Sequence, residues 1–138
     1  MDGPAIPSIA QVADRCFEEL AAHVEAGGQI TVEHLSKLGL LLGRNWAKAL
    51  SVVDGGDVEC FEGEASGRRV FQVKGKSGVY LTFARTYCAC QAHYYEVVCK
   101  AEAPYCKHQL AARLAVILQR CPVTVVPDAT LAQFLLDA

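Results

Sequence analysis

Four residues in one short stretch have the types and spacing of a metal centre: Cys88 and Cys90 form a C-x-C, and Cys106 and His108 form a C-x-H. Structural Zn²⁺ takes thiolate sulfur and imidazole nitrogen in a closed tetrahedron, its ligands arriving as two local pairs separated by a loop. A C-x-C places both sulfurs on the same side of an extended strand or turn, which suits a strand end. The second pair runs into Leu110, Leu114, Ile117 and Leu118, the spacing of one helical face, so His108 is predicted in the opening turn of a helix. Four protein ligands leave zinc no open position for water or substrate, which points to a scaffold and away from metal catalysis.

Other residues compete for these roles. His93 and Cys99 lie between the two pairs, and spacing alone lets either replace a ligand; the plain alternative for His93 is a solvent-exposed loop histidine. Cys16, Cys60 and Cys121 sit on apolar or alternating stretches and read as small core residues. Seven cysteines is an odd count, and no apolar signal-peptide core opens the chain, so a reducing compartment and metal are favoured over disulfides. Pro104-Tyr105-Cys106-Lys107-His108 lacks the second cysteine of a zinc deaminase, and no G-x-x-x-x-G-K-[ST] loop is present. A thiol enzyme or redox sensor built on Cys99 or Cys121 has no histidine or carboxylate placed in sequence to support it. The chain is expected not to be an enzyme.

The elements that must hold the ligands change period halfway along. Ser8 to Gln11 reads as a capping box, followed by Ile9, Val12, Ala13, Cys16, Phe17, Leu20 and Val24 at helical spacing up to Gly27-Gly28. Thr31 caps a second helix lined by Leu35, Leu38 and Leu42, and a third short segment carries Trp46, Ala49 and Val53 before the Asp54-Gly55-Gly56-Asp57 turn. His23 and His34 on these helices read as exposed or hydrogen-bonded residues. Residues 58–61, 69–74 and 79–84 then alternate as strands; the last two form a hairpin that delivers Cys88 and Cys90. Cys121-Pro122 ends the helix after His108, Val123 to Val126 is a short strand, and Asp128 opens a last helix with Leu131, Phe134 and Leu135. The predicted fold is α+β in one domain over 1–138: a helical part (1–56), a small antiparallel sheet with the metal finger (57–120), and a C-terminal strand and helix (121–138).

Charge is divided along the chain. Residues 1–67 hold four Lys/Arg against eleven Asp/Glu, whereas residues 68–120 hold nine against two, so an acidic face and a basic face are expected. Arg85, Lys100, Lys107 and Arg113 are the candidate phosphate contacts, with Arg68 and Arg69 as solvated charges, and Tyr94, Tyr95 and Tyr105 can stack on bases or pack around the metal. A sequence pI near 6.1 argues against strong autonomous nucleic-acid binding. Hydrophobic content of 52% with no apolar run near the ~20 residues of a membrane helix suggests a buried partner interface and no membrane.

Cys88-Ala89-Cys90 and Cys106-Lys107-His108-Gln109-Leu110-Ala111 match C-x-C…C-x-H-x-x-A, and the chain resembles the SWIM-type zinc fingers. Its length, its helical first half and the Ser66 to Val73 run before the finger are similar to the SWIM subunits of the Shu complex. The resemblance implies a ββα-type finger holding Zn²⁺ through Cys88, Cys90, Cys106 and His108, with a small residue at Ala111 letting the helix approach the ligand-bearing strands. It further implies a nuclear, non-enzymatic adaptor that binds a RecA-like recombinase paralogue and promotes recombinase filament assembly on single-stranded DNA in homologous recombination. Direct single-stranded DNA binding is the alternative.

Overall fold

The computed structural model describes residues 5–137. It opens with α1 (Ile9–Glu25), α2 (Val32–Leu42) and α3 (Arg44–Asp54). Ser8 caps α1 as its spacing predicts: its Oγ accepts the Gln11 N–H at 3.2 Å while Gln11 Oε1 accepts the Ser8 N–H at 2.8 Å. Thr31 and His34 make the same reciprocal arrangement at the start of α2. Each box satisfies N–H groups that a helix start leaves unpaired. The apolar faces converge through Ala13, Phe17 and Leu20, Leu38 and Leu42, and Trp46, Ala49 and Val53. Phe17 meets Trp46 edge-on at a centroid distance of 5.9 Å.

Against this layer lies one sheet of β1 (Val58–Gly63), β2 (Arg69–Gly75), β3 (Gly78–Phe83), β4 (Tyr87–Cys88) and β5 (Val123–Val126), in the order β4-β3-β2-β1-β5. The first four strands form the expected antiparallel meander, but β5 pairs parallel to β1, with Cys60 opposite Val123. The small antiparallel sheet expected within residues 57–120 is thus present, and the C-terminal strand joins its edge in parallel. Between β4 and β5 the chain crosses one face of the sheet as α4 (Lys107–Ile117), and such a crossover can return a strand in the same direction as its neighbour.

Strand alternation divides the core. Val58, Cys60, Phe71 and Val73 face the helices; Phe61, Val70, Leu81 and Phe83 face the opposite side, where α5 (Asp128–Asp137) lays down Leu131 and Phe134. Asp128 anchors that helix, its Oδ1 accepting the Ala65 N–H at 3.3 Å and the Ser66 hydroxyl at 3.3 Å. Leu131→Ala should cost about 2 kcal/mol, the low end for a buried leucine because α5 covers only part of the sheet. Urea unfolding measures the loss, and metal content should not change.

The helix after His108 is more deeply embedded than a single apolar face implies. Every residue of α4 from His108 to Ala115 is buried, with α1 and α3 on one side and the sheet on the other. Ala111, Ala112 and Ala115 supply the small side chains that close approach needs. The helix ends before Cys121-Pro122, through Gln119 at φ 56°: its N–H reaches the Val116 carbonyl at 3.1 Å and the Arg120 N–H reaches Ala115 at 2.9 Å. This double closure satisfies the last carbonyls without glycine.

The divided charge is partly paired across the fold. Four of the five arginines in residues 68–120 pair with carboxylates of residues 1–67: Arg69 with Glu62, Arg85 with Glu18, Arg113 with Asp14 and Arg120 with Asp54. The asymmetry joins the two halves of the chain to each other. Among the described residues, no helix is long and apolar enough to cross a membrane.

Candidate metal centre

The predicted ligands meet. Cys88 closes β4, Cys90 follows it, Cys106 takes the N-cap position of α4, and His108 lies in that helix's first turn. One ligand atom from each lies within 4.8 Å of all the others, and all four residues are buried. A tetrahedron with metal–sulfur bonds of ~2.3 Å has sulfur–sulfur edges of about 3.8 Å, so the cluster needs only slight contraction around an ion. All three thiols are free, and three soft sulfurs with one imidazole are the donor set of a closed structural metal site. His108 turns Nδ1 to within 3.6 Å of Cys88 Sγ, which makes Nδ1 the nitrogen that would hold the ion.

The elements lock each ligand. The His93 N–H donates to Cys90 Sγ at 3.3 Å, so this sulfur caps the helical segment that follows it. Gln109, wholly buried, accepts the Cys106 N–H at 3.1 Å through Oε1 and donates through Nε2 to the Phe83 carbonyl at 3.3 Å. One side chain thus ties the C-x-H to the strand that leads to the C-x-C. Thr82 Oγ1 lies 3.4 Å from Cys88 Sγ, and the Tyr80 ring stacks on His108 at 4.8 Å. Asn45 Nδ2 donates to the Tyr105 carbonyl at 3.1 Å, fixing the backbone just before Cys106 to α3. Gln109 and Asn45 were legible only as polar residues inside apolar helical runs.

Crowding sets the protonation of the metal-free thiols. Hydrogen bonds from Cys106 and then Cys88 hold Cys90 far below the ordinary thiol value. Cys106 is pushed far up by its hydrogen bonds to Cys88 and Cys90 and by burial. At Cys88 the Cys106 hydrogen bond pulls downward, but Cys90 and burial outweigh it and the net shift is upward. A bound cation relieves this crowding by stabilising all three thiolates.

The competing residues fall outside the cluster. His93 is not an exposed loop histidine: it is 4% exposed, and burial holds its imidazole below the usual value against the pull of Cys90. It opens a π-helix (His93–Cys99) where the sequence suggested only a loop, and its ring packs edge-on against Tyr87. Cys99 ends that helix exposed, Cys16 is half-buried, and Cys60 and Cys121 are buried beside each other. A hydrogen bond to Cys60, with burial, raises Cys121 well above an ordinary thiol, the opposite of what a nucleophilic cysteine needs.

The four candidate phosphate contacts separate. Arg113 is 8% exposed, bound to Asp14 at 2.7 Å and stacked over the Phe17 ring at 4.2 Å, so it is internal and not available to a nucleic acid. Arg85 is exposed, 3.9 Å from Glu18. Lys100 follows the π-helix on the surface, and Lys107 lines a depression between α3, α4 and the β2–β3 hairpin. Tyr105 is buried, its hydroxyl on Asp14 at 2.8 Å, whereas Tyr94 and Tyr95 are exposed.

No family model matches the chain, and no solved structure matches it. It is 34% identical over 127 residues to the Homo sapiens zinc finger SWIM domain-containing protein 7, covering 91% of this chain and 90% of that protein. The Mus musculus protein of the same name is 33% identical over 132 residues, covering 94% and 86%. The matched span includes the Cys₃His cluster and nearly every element that positions it, and the chain belongs to the zinc finger SWIM domain-containing protein 7 family.

Proposed function

We propose that the chain is a non-enzymatic adaptor whose SWIM finger holds Zn²⁺ and fixes a docking surface for a RecA-like recombinase paralogue. In this reading it is the SWIM subunit of a nuclear Shu-type complex and promotes recombinase filament assembly on single-stranded DNA in homologous recombination. The observation that carries the adaptor reading is the closed donor set: four buried protein ligands in mutual contact, with β4 and α4 built directly onto them. A zinc ion there has no position for a substrate and acts by fixing the shape of the elements it joins. Exposed apolar groups support a docking role, among them Leu135 and Leu136 on α5 and Tyr94, Tyr95 and Val98 on the π-helix.

The test is co-expression with a candidate recombinase paralogue. The wild-type chain should co-purify with it at a fixed ratio with one zinc per chain, and Leu135→Asp with Leu136→Asp should reduce recovery about tenfold if α5 forms part of the interface. Absence of a complex with every RecA-like paralogue of the same organism would defeat the adaptor reading.

A further inference from the structure

Four of the five arginines of residues 68–120 are ion-paired, but among the described residues the lysines there are not. Lys48 on α3, Lys76 on the β2–β3 hairpin and Lys107 at the start of α4 wall an open depression of about 600 Å³. Lys74 borders it too, but strand alternation sends its side chain to the other face of the sheet with Gln72 and Val79. Among the described residues none of the three lysines in the wall forms an ion pair, and Asp57 is the one carboxylate there. Three lysines thus line a space with a single negative charge.

The floor holds a second, independent feature. His108 lines the depression and is only 2% exposed, yet its Nε2 has no hydrogen-bond partner. Gly75 lies over that nitrogen; a Cβ there would sit 3.5 Å from it, so the missing side chain keeps the approach thin. With Nδ1 facing the sulfurs, a metal-bound neutral imidazole carries its proton on Nε2 and becomes a donor. Metal-bound histidines normally give this N–H to a carboxylate, a carbonyl or water. Here no described residue supplies an acceptor, while the surrounding charge favours an anion. The first turn of α4 adds N–H groups without intrahelical partners and the positive end of its dipole.

We propose that this depression is a phosphate-binding site, in which His108 Nε2–H and the ammonium groups of Lys48, Lys76 and Lys107 take the oxygens of one phosphate or of adjacent phosphates. A phosphate fits because it carries up to two charges and several acceptor oxygens, enough to meet donors from three elements at once. Two sources share this chemistry: a small free phosphate compound and the backbone of a nucleic-acid strand. The site differs from the charges singled out in sequence, of which only Lys107 belongs to it. It depends on ligation through Nδ1 and not on the recombination reading, so zinc content and partner capture report on those separately.

The experiment uses the full zinc-loaded chain, with inorganic phosphate and a labelled oligothymidylate as probes at low ionic strength. Binding is read by calorimetry and fluorescence anisotropy, and the ¹⁵N signal of His108 Nε2 is followed by NMR. Phosphate should shift that signal. Lys48→Gln combined with Lys76→Gln should weaken binding about tenfold and, if a strand is bound, flatten the log affinity against log salt slope by about 1.4, from ~0.7 per phosphate contact on a single strand. Both substitutions are on exposed side chains, so zinc content should be retained, and Lys100→Gln should change little. Oligonucleotide binding that phosphate displaces identifies a strand as the source; binding of phosphate alone identifies a small compound. No binding of either probe, unchanged affinity in the double variant, or an equal loss in Lys100→Gln would overturn the proposal.

Discussion

Cys106→Ser is expected to abolish stoichiometric metal binding and to destabilise the chain by more than ~4 kcal/mol, the range reached when a single substitution removes a structural metal. Three roles meet at this residue. Cys106 is 0% exposed, it supplies one of four ligands, and it stands at the N-cap of the helix that forms the centre of the core. Serine offers an oxygen, a poorer partner for zinc than a thiolate, on a shorter bond that cannot fill the same space. Loss of the ion then leaves the buried Cys88 and Cys90 sulfurs without the cation that would hold them together, and it removes the link between β4 and α4. Zinc per chain and the urea midpoint report the two effects together. Full zinc content in Cys106→Ser, or an unchanged midpoint, would contradict the assignment of Cys106 as a ligand.

Arg113→Ala should be the second most damaging substitution, costing about 3–5 kcal/mol because it leaves a charge without its buried partner. The Arg113 guanidinium binds Asp14 at 2.7 Å and lies over both the Phe17 and Tyr105 rings, and Tyr105 donates to the same Asp14 oxygen at 2.8 Å. The network joins α1, α4 and the loop before Cys106 across 99 positions of chain. Removing the guanidinium leaves the Asp14 carboxylate with the Tyr105 hydroxyl alone and strips two aromatic faces of their cover. A double-mutant cycle with Asp14→Asn isolates the pairing, which should account for at least ~1.5 kcal/mol. Metal stoichiometry should stay at one. A loss under 1 kcal/mol in thermal unfolding, coupled to weaker oligonucleotide binding, would instead return Arg113 to the surface role its sequence position suggested.

The contrast between these two residues explains what could be read in advance. Cys106 and His108 belong to a local pair, and coordination chemistry constrains such pairs over a few positions, so the ligand set was visible in sequence. The same holds for the Ser8 cap, the helical faces of α1 to α3 and the β2–β3 hairpin, each decided by interactions over one to four residues or by a tight turn. Arg113 has no such local signature. Its partner is in the first helix, and only the docking of α1 on α4 brings them together, so a buried cation looked like a surface one.

Other surprises have similar causes. The π-helix has ordinary residues for a loop, and it forms where Cys90 Sγ caps the His93 N–H. The parallel placement of β5 follows from the crossover of α4, and nothing in Val123 to Val126 encodes direction. Charge separation along the chain was real, and pairing between the acidic and basic halves takes up four of the five arginines, three of them at the surface. Only Arg113 makes a buried pair, a role that suits a planar guanidinium, which is less strongly hydrated than an ammonium.

X-ray absorption at the zinc edge of the purified chain, with zinc content determined on the same sample, tests the central claim most directly. One zinc per chain with three sulfurs at about 2.3 Å and one nitrogen at about 2.0 Å is the expected result. An oxygen ligand, a fourth sulfur from Cys99 or a second nitrogen from His93, or a purified chain without zinc, would contradict a closed site built from Cys88, Cys90, Cys106 and His108.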